Sequence, residues 1–461
     1  MKFRVLTFTF ALALSLALIG CGEGDTPESF TITFDSKGGS AVEPITVLDG
    51  GQAQEPAAPT KEHYDFLGWY IGENQYTFGD TVVRDIALTA KWAPKEYEIT
   101  FDADNGESSF TLISVWGEDF TVPIPKREGY NFLGWYQGEN EYSFDEISES
   151  TTLKARWLQA SGDLALTPSD DGKSYTVSGI GGFSGTELII PSYVEGKPVT
   201  AIADNAFYKS SITYVRIPGT VKAVGFMAFG SSAALAEIAI DDGVTKLDSS
   251  FYGCTALTRV TLADTIKNMD NAFRGCTSLT SITLPKSLES ANNAFGDCTA
   301  LSMNEADGGL YLGTKDNPYY MLMTLTDKTV SSFNINKGTV IIHTAALMDC
   351  KNLTELGIPS SVKFIYGNAF LRCESLTTVI IPSSVTTVAS YAFAECTNLT
   401  TVYVPRSVEV LGYHTFDRCQ KLTVYCAVSK APDGWDGDWN MSFLDEEIVT
   451  VKVVWGSGAI G

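Results

Sequence analysis

The side chains in this 461-residue chain that could act as nucleophiles or metal ligands are few, and most of them sit in a repeat. Seven of its nine cysteines, Cys254, Cys276, Cys298, Cys350, Cys373, Cys396 and Cys419, lie three residues after a recurring apolar residue, with Cys21 and Cys426 standing apart. Zinc-binding thiols come as close C-x-x-C-type pairs, and no such pair occurs here. Ser210 and Ser232 fill the same slot in the first two repeats. A slot that accepts either Ser or Cys wants a small, weakly polar side chain inside a coil. Stacked slots would bring neighbouring thiols within disulfide reach, but an odd seven cannot all pair among themselves. Buried thiols are the favoured reading. On that reading the organism lives where oxidant is scarce, an expectation that fewer than two free thiols in the denatured protein would overturn. The three histidines, His63, His343 and His414, lie in no nucleophile or metal motif, and no phosphate-binding glycine loop or metalloprotease signature appears. The run Asp433 to Trp439 hints at calcium but lacks the spacing of a known calcium loop, and reads better as a cap on an apolar edge. No catalytic residue, metal site or cofactor is expected, and the chain does not read as an enzyme.

The cysteine spacing belongs to a longer pattern. Phe207, Phe229, Phe251, Phe273 and Phe295 are 22 residues apart; after a longer gap, Leu347, Phe370, Phe393 and Phe416 follow at 23. Between them runs a second phrase, leucine, two residues, an aliphatic, one residue, an aliphatic: Leu257-x-x-Val260-x-Leu262, Leu279-x-x-Ile282-x-Leu284, Leu376-x-x-Val379-x-Ile381, Leu399-x-x-Val402-x-Val404. Proline often follows, as at Pro218, Pro285, Pro359, Pro382 and Pro405. One turn of 22 or 23 residues cannot bury its own apolar face, whereas stacked turns share a continuous core. The leucine and both aliphatics should point inward and the residue between the aliphatics outward. The phenylalanine should fill the opposite side, and proline should end the strand and turn the corner. Nine turns would make a face on the order of 40 Å long at one strand spacing each. Phe295 and Leu347 are 52 residues apart, where two turns need about 45. The excess, Gly309 to Gly313 and Tyr319 to Met323 around Asp316-Asn317-Pro318, reads as a β-hairpin that either packs on the coils or projects as a contact point.

The phrase Ile381-Pro382-Ser383-Ser384-Val385 followed by Ala392-Phe393 and Cys396 resembles the BspA-like leucine-rich repeat of bacterial and some protist surface proteins. The lead-in Tyr175 to Ile180 and the close Gly434-Trp435 to Trp439-Asn440 resemble the ends of that family's repeat region. The resemblance implies a solenoid, a surface location and a binding role, and it brings no catalytic residues.

Upstream, residues 31–92 and 98–157 are two copies of one unit. Thr31 to Asp35 recurs as Glu98 to Asp102, Phe66-Leu67-Gly68-Trp69-Tyr70 as Phe132-Leu133-Gly134-Trp135-Tyr136, and Ala90-Lys91-Trp92 as Ala155-Arg156-Trp157. Alternation at Ile32, Phe34 and at Ile99, Phe101 predicts short strands buried on one face. The pair resembles the internalin B repeat, also called the Listeria-Bacteroides repeat, which implies a compact β-grasp-like module used as a spacer or weak contact module. Trp69 and Trp135 are expected in the core rather than as sugar-stacking platforms.

The start of the chain bears on location. Lys2 and Arg4 precede an apolar stretch, Val5 to Ile19, shorter than the roughly 20 residues of a spanning helix. It runs into Leu18-Ile19-Gly20-Cys21, which resembles the lipobox of bacterial lipoproteins and implies lipidation at Cys21. The formal net charge of −23, from 32 basic and 55 acidic residues, opposes nucleic-acid phosphate and anionic headgroups. Membrane contact is therefore expected only through the lipid anchor.

The fold class expected is mainly β, two small β-grasp-like modules followed by a leucine-rich-repeat solenoid. The segments are a signal peptide (1–20), a lipidated tether (21–30), two modules (31–94 and 95–160), a solenoid (161–430) with a hairpin insertion near 305–335, and a cap (431–461). The candidate binding face is the outward strand row Tyr214, Arg216, Glu237, Arg259, Thr261, Thr283, Glu355, Ile380 and Tyr403, because exposed Tyr and Arg most often anchor interfaces. An adhesin-like protein held on the cell envelope and binding a host or neighbouring-cell surface protein is the leading expectation. A glycan-binding component and a structural spacer or surface-layer protein are the alternatives.

Overall fold

The computed structural model describes residues 28–444 and 447–457, so the export segment and Cys21 lie outside the described residues. Strands are the only long-range regular elements, and no helix occurs among the described residues. The chain divides into two compact units, Met1–Pro123 with Trp135–Lys154, and Ile124–Gly134 with Ala155–Gly461.

In the first copy of the small module the strand order is Ile45–Leu48, Ser29–Asp35, Ile86–Pro94, Tyr64–Ile71, Asn74–Gln75. The first strand runs parallel to the last long one, Ile32 facing Ile86 and Phe34 facing Leu88. This parallel central pair flanked by antiparallel strands is β-grasp-like, with irregular chain between Leu48 and Tyr64. Alternation places Ile32 and Leu88 in a core closed by Trp69, whose ring meets Phe34 at 4.7 Å and Phe66 at 5.4 Å, both edge-on. The Gly-Trp-Tyr phrase recurs for a backbone reason. A register shift between Phe66 and Gly68 makes a bulge, and Gly68 sits at φ +127°, where a side chain would be strained. The second copy repeats the order as Phe110–Val115, Glu96–Asp102, Thr151–Gln159, Tyr130–Gln137, Asn140–Glu141.

In the second unit the leucine phrase forms strands that pair in parallel one repeat apart: Tyr214 faces Glu237, which faces Arg259, and Thr401 faces Thr423. Leu257, Leu279, Leu376 and Leu399 are fully buried, as are Val402 and Val404. This row is interrupted. It comprises a four-stranded sheet from Glu187–Ile189 to Arg259–Thr261, a pair, Ser332–Asn334 with Glu355–Gly357, and a second four-stranded sheet from Thr378–Ile380 to Lys452–Trp455. Each following proline turns the corner as expected: the carbonyls of Pro218, Pro359, Pro382 and Pro405 accept the N–H three residues on. The Ser-Ser phrase has its own task, for Ser361 and Ser384 each donate at 2.7 Å to a carbonyl of the preceding coil, Thr339 and Val362.

A second parallel ladder lies elsewhere on each coil. Lys197–Ile202 pairs Ala223–Val224, single bridges continue through Lys246, Asn268 and Ser290, and Ile341–Ile342, Phe364–Ile365, Thr387–Val388 and Val410–Leu411 complete it. Its two-residue strands are too short to show a period in sequence. The phenylalanines stack face to face as a third column, Phe207, Phe229, Phe251, Phe273 and Phe295 at 5.0, 5.3, 5.6 and 6.0 Å between centroids, then Phe370, Phe393 and Phe416 at 4.8 and 5.8 Å. Burying each ring contributes roughly 1.5–3 kcal/mol.

The insertion forms antiparallel strands, Leu312 facing Met321 across a loop that holds Asp316 to Pro318. It does not project. Met321 and Leu322 pair in parallel with Ile341 and Ile342, and Tyr311, Met321 and Leu322 are fully buried. The alternative of a protruding hairpin fails because these residues extend the second ladder and plug its core.

Candidate contact surface

The nine residues of the expected face all lie outside the core, but in different settings. Tyr214, Glu237 and Arg259 form one transverse row on successive strands, with the Arg259 guanidinium on the Glu237 carboxylate (Nε–Oε2 2.9 Å). Arg216, in the next outward row, holds Asp241 with two hydrogen bonds, Nε–Oδ2 3.2 Å and Nη2–Oδ1 2.9 Å, and both side chains are half-buried. Burial pushes the Asp241 carboxyl up, against the pull of Arg216. Thr261 and Thr283 are exposed, one coil apart, with Thr283 outside any strand. Glu355 faces Ser332 in the two-stranded middle sheet. Ile380 is 51% exposed and faces Tyr403, which stacks on Tyr425 at 5.2 Å. The structure thus brings Tyr214, Arg216, Glu237, Arg259 and Thr261 onto one sheet and Ile380 and Tyr403 onto another, and leaves Thr283 and Glu355 between.

Two groups were missed from sequence. Tyr425 completes the Ile380–Tyr403 patch and was readable from its position 22 residues after Tyr403. Tyr208, Phe226 and Tyr252 are exposed beside the phenylalanine column, with Lys209 over the Tyr208 ring at 5.1 Å and Arg274 over Tyr252 at 5.9 Å. The signal was available, since Tyr208 and Tyr252 each directly follow a column phenylalanine. Trp69 and Trp135 are buried, so they offer no sugar platform.

The repeat cysteines are all buried and free. Six of the seven thiols, all but Cys350, donate backwards to the carbonyl of the column residue in the preceding coil: Cys254 to Phe229 at 3.2 Å, Cys276 to Phe251 at 3.3 Å, Cys298 to Phe273 at 3.1 Å, Cys373 to Leu347 at 3.3 Å, Cys396 to Phe370 at 3.2 Å and Cys419 to Phe393 at 3.1 Å. Ser232 makes the same bond to Phe207 at 3.0 Å, which is why Ser and Cys share the slot. Burial pushes the Cys254 thiol up to about 12 and those of Cys298 and Cys350 to about 11, holding them protonated and unreactive. Among the described residues no cluster of three or more acidic, histidine or cysteine side chains is arranged to hold a metal ion. In the Asp433–Trp439 run, Trp435 and Trp439 are buried and Trp435 Nε1 donates to the Val408 carbonyl at 2.9 Å, covering the last coil.

Stacked parallel coils with an aromatic column, a leucine row and a hydrogen-bonded thiol column define a leucine-rich-repeat solenoid. Residues 200–308 and 324–429 match the BspA type leucine rich repeat region in six copies, and residues 30–91 and 97–156 match the Listeria-Bacteroides repeat domain. The chain is a BspA-type leucine-rich-repeat protein carrying two Listeria-Bacteroides repeats. A protein of Evansella cellulosilytica, provisionally named a membrane protein, is 31% identical over 196 residues, 40% of this chain and 28% of its own. Internalin H of Listeria monocytogenes is 34% identical over 117 residues, 24% of this chain and 21% of its own. The chain therefore spans under a third of the length of these curated relatives. A crystal structure of a leucine rich cell surface protein from Faecalibacterium prausnitzii is 23% identical, covering 61% of this chain and 96% of that one at a TM-score of 0.25.

Proposed function

We propose that this protein is held on the outside of a bacterial cell by a lipid on Cys21 and binds protein partners through the outward strand rows of its solenoid. The observation that carries the reading is the patch Ile380, Tyr403 and Tyr425. It is an apolar and aromatic group held on rigid parallel strands with no fold-internal task for its exposed faces. Rigid aromatics lose little entropy on binding and are the usual anchors of protein interfaces. The repeat family supports a surface role, and the names borne by the relatives agree with it.

The test is binding of residues 22–461 to paired arrays of extracellular-matrix proteins and glycans. A saturable protein hit weakened tenfold or more by Tyr403→Ala is expected. Arg216→Ala is a poor probe, because it strands the half-buried Asp241. A glycan hit abolished by Tyr252→Ala would instead favour carbohydrate capture at the exposed Tyr208, Phe226 and Tyr252 cluster. Silence on both arrays with the fold intact would overturn the binding reading and leave a structural spacer.

A further inference from the structure

The second small module carries a longer open sheet edge than its sister. Phe110–Val115 is the terminal strand of its sheet, paired only with Glu96–Asp102. It is six residues long and uncharged, with Phe110, Leu112 and Ile113 exposed at 41%, 37% and 49%. The N–H of Trp116 donates to the Lys95 carbonyl, which fixes the ladder's parity. Ser114, Leu112 and Phe110 bond inward to Tyr97, Ile99 and Phe101, and the backbone groups of Thr111 and Ile113 therefore point away from the sheet. Long, apolar, unprotected edges are what folded proteins normally avoid. The first module obeys that rule: its matching strand, Ile45–Leu48, has four residues and buries every second one partway.

The chemistry beside the edge is also specific. Glu96 and Glu98 lie directly opposite Val115 and Ile113, so both carboxylates share the face of those side chains. They are exposed and make no ion pair among the described residues. Glu118 and Asp119 follow the strand. In the first module the equivalent positions are Ser29 and Thr31. A strand added to Phe110–Val115 would run about 10 Å from Glu98, within the joint reach of a lysine and a glutamate.

We propose that Phe110–Val115 takes an extended segment of a partner protein as an added strand, one that alternates β-branched residues with lysine or arginine. Backbone hydrogen bonds to Thr111 and Ile113 supply the pairing, Phe110 and Leu112 the apolar contact, and Glu96 and Glu98 the preference for cations. A second copy of this chain fits less well, because it brings the same acidic flanks against each other.

The probe is a fluorescent nonapeptide of alternating valine and lysine, titrated by anisotropy against residues 22–461. Ile113→Pro removes an outward N–H without touching the ladder, and Ile113→Lys puts a cation beside Glu98 and against the incoming peptide. Saturable binding is expected, weakened at least tenfold by each variant and by replacing the peptide's lysines with glutamates. Should Ile113→Pro fail to fold, Ile113→Lys alone decides. Binding indifferent to Ile113→Lys, or no binding by the folded parent chain, overturns the proposal. Concentration-dependent dimers that Ile113→Lys abolishes would overturn it too, by giving the edge to a second copy.

Discussion

At the residue scale, the buried thiols and one histidine turn position in a coil into measurable chemistry. Because Cys254, Cys298, Cys350 and Cys426 keep their protons up to about pH 11 or 12, a disulfide reagent at pH 8 should find no thiol in the folded repeats. Eight thiols should appear on denaturation of residues 22–461. Rapid reaction of the folded protein would mean that the column is open to solvent. The same shifts set an alkaline limit. The unfolded chain releases these protons near pH 9 while the fold retains them, so stability is complete below pH 9 and declines as pH rises toward 12. His343 works in the opposite direction. Its ring is buried, Nδ1 lies 3.0 Å from the Thr344 carbonyl, Nε2 has no partner, and burial lowers its pKa to about 4. The unfolded histidine takes up a proton below about 6.5, so the stability it contributes is full above that and is lost as pH falls to 4, up to about 3 kcal/mol. Thermal unfolding from pH 7 to pH 4 should show a steeper loss in the parent than in His343→Ala; equal slopes would show that the ring is wet.

At the scale of the coil, two left-handed residues bracket each column ring. The residue two before it has positive φ in all nine coils, from Asn205 at 56° to His414 at 50°, and so does the residue two after it, from Lys209 at 55° to Arg418 at 57°. Only Gly253 and Gly275 meet this demand without strain; elsewhere Asn, Asp and bulkier residues bear it. Ala345→Gly should therefore stabilise by about 0.5–1 kcal/mol and Gly253→Ala should cost about as much, both read as shifts in Tm. A fall in Tm for Ala345→Gly would mean that its methyl packs for more than its backbone costs. Truncating a ring is far harsher: Phe251→Ala opens a column between Phe229 and Phe273 and should cost about 3–5 kcal/mol.

This bracketing also shows what sequence could convey. The leucine phrase and the rings were legible because large apolar residues recur at one spacing with nothing else able to fill the slot. The left-handed pair was not, because Asn205, Met227, Ser249 and Tyr391 share a backbone angle and no chemistry. The second ladder was hidden in two-residue strands, and the insertion's role was hidden because burial of Met321 and Leu322 depends on a neighbour 20 residues away. Of the candidate face, the outward direction was legible from alternation. Arg216's commitment to Asp241 was not, since that partner lies one coil on and 25 residues along the chain.

At the scale of the whole molecule, a stack of coils has two open ends, and each must be covered or its last apolar layer meets water. Trp435 and Trp439 cover the far end. At the near end, within the same compact unit as the repeats, the covering group is Asn131, which belongs by sequence to the second small module. Its amide is fully buried, Nδ2 donating to the Ile190 carbonyl and Oδ1 accepting the Ser192 N–H, both at 2.7 Å. Glu128 adds a carboxylate that accepts the N–H groups of Glu195 and Gly196, and Ser161 exchanges bonds with Ile189. The first coil thus has its free backbone satisfied by side chains where a further coil would have supplied peptide groups. Asn131→Ala leaves one carbonyl and one N–H buried without partners and should cost about 2–3 kcal/mol. Because coils couple mainly to their neighbours, that loss should be local: amide exchange should quicken in Glu187–Ile189 and Tyr214–Ile217 and stay unchanged in Thr401–Val404. Uniform acceleration along the repeats would show that the solenoid unfolds as one block and that the amide does more than cap its first layer.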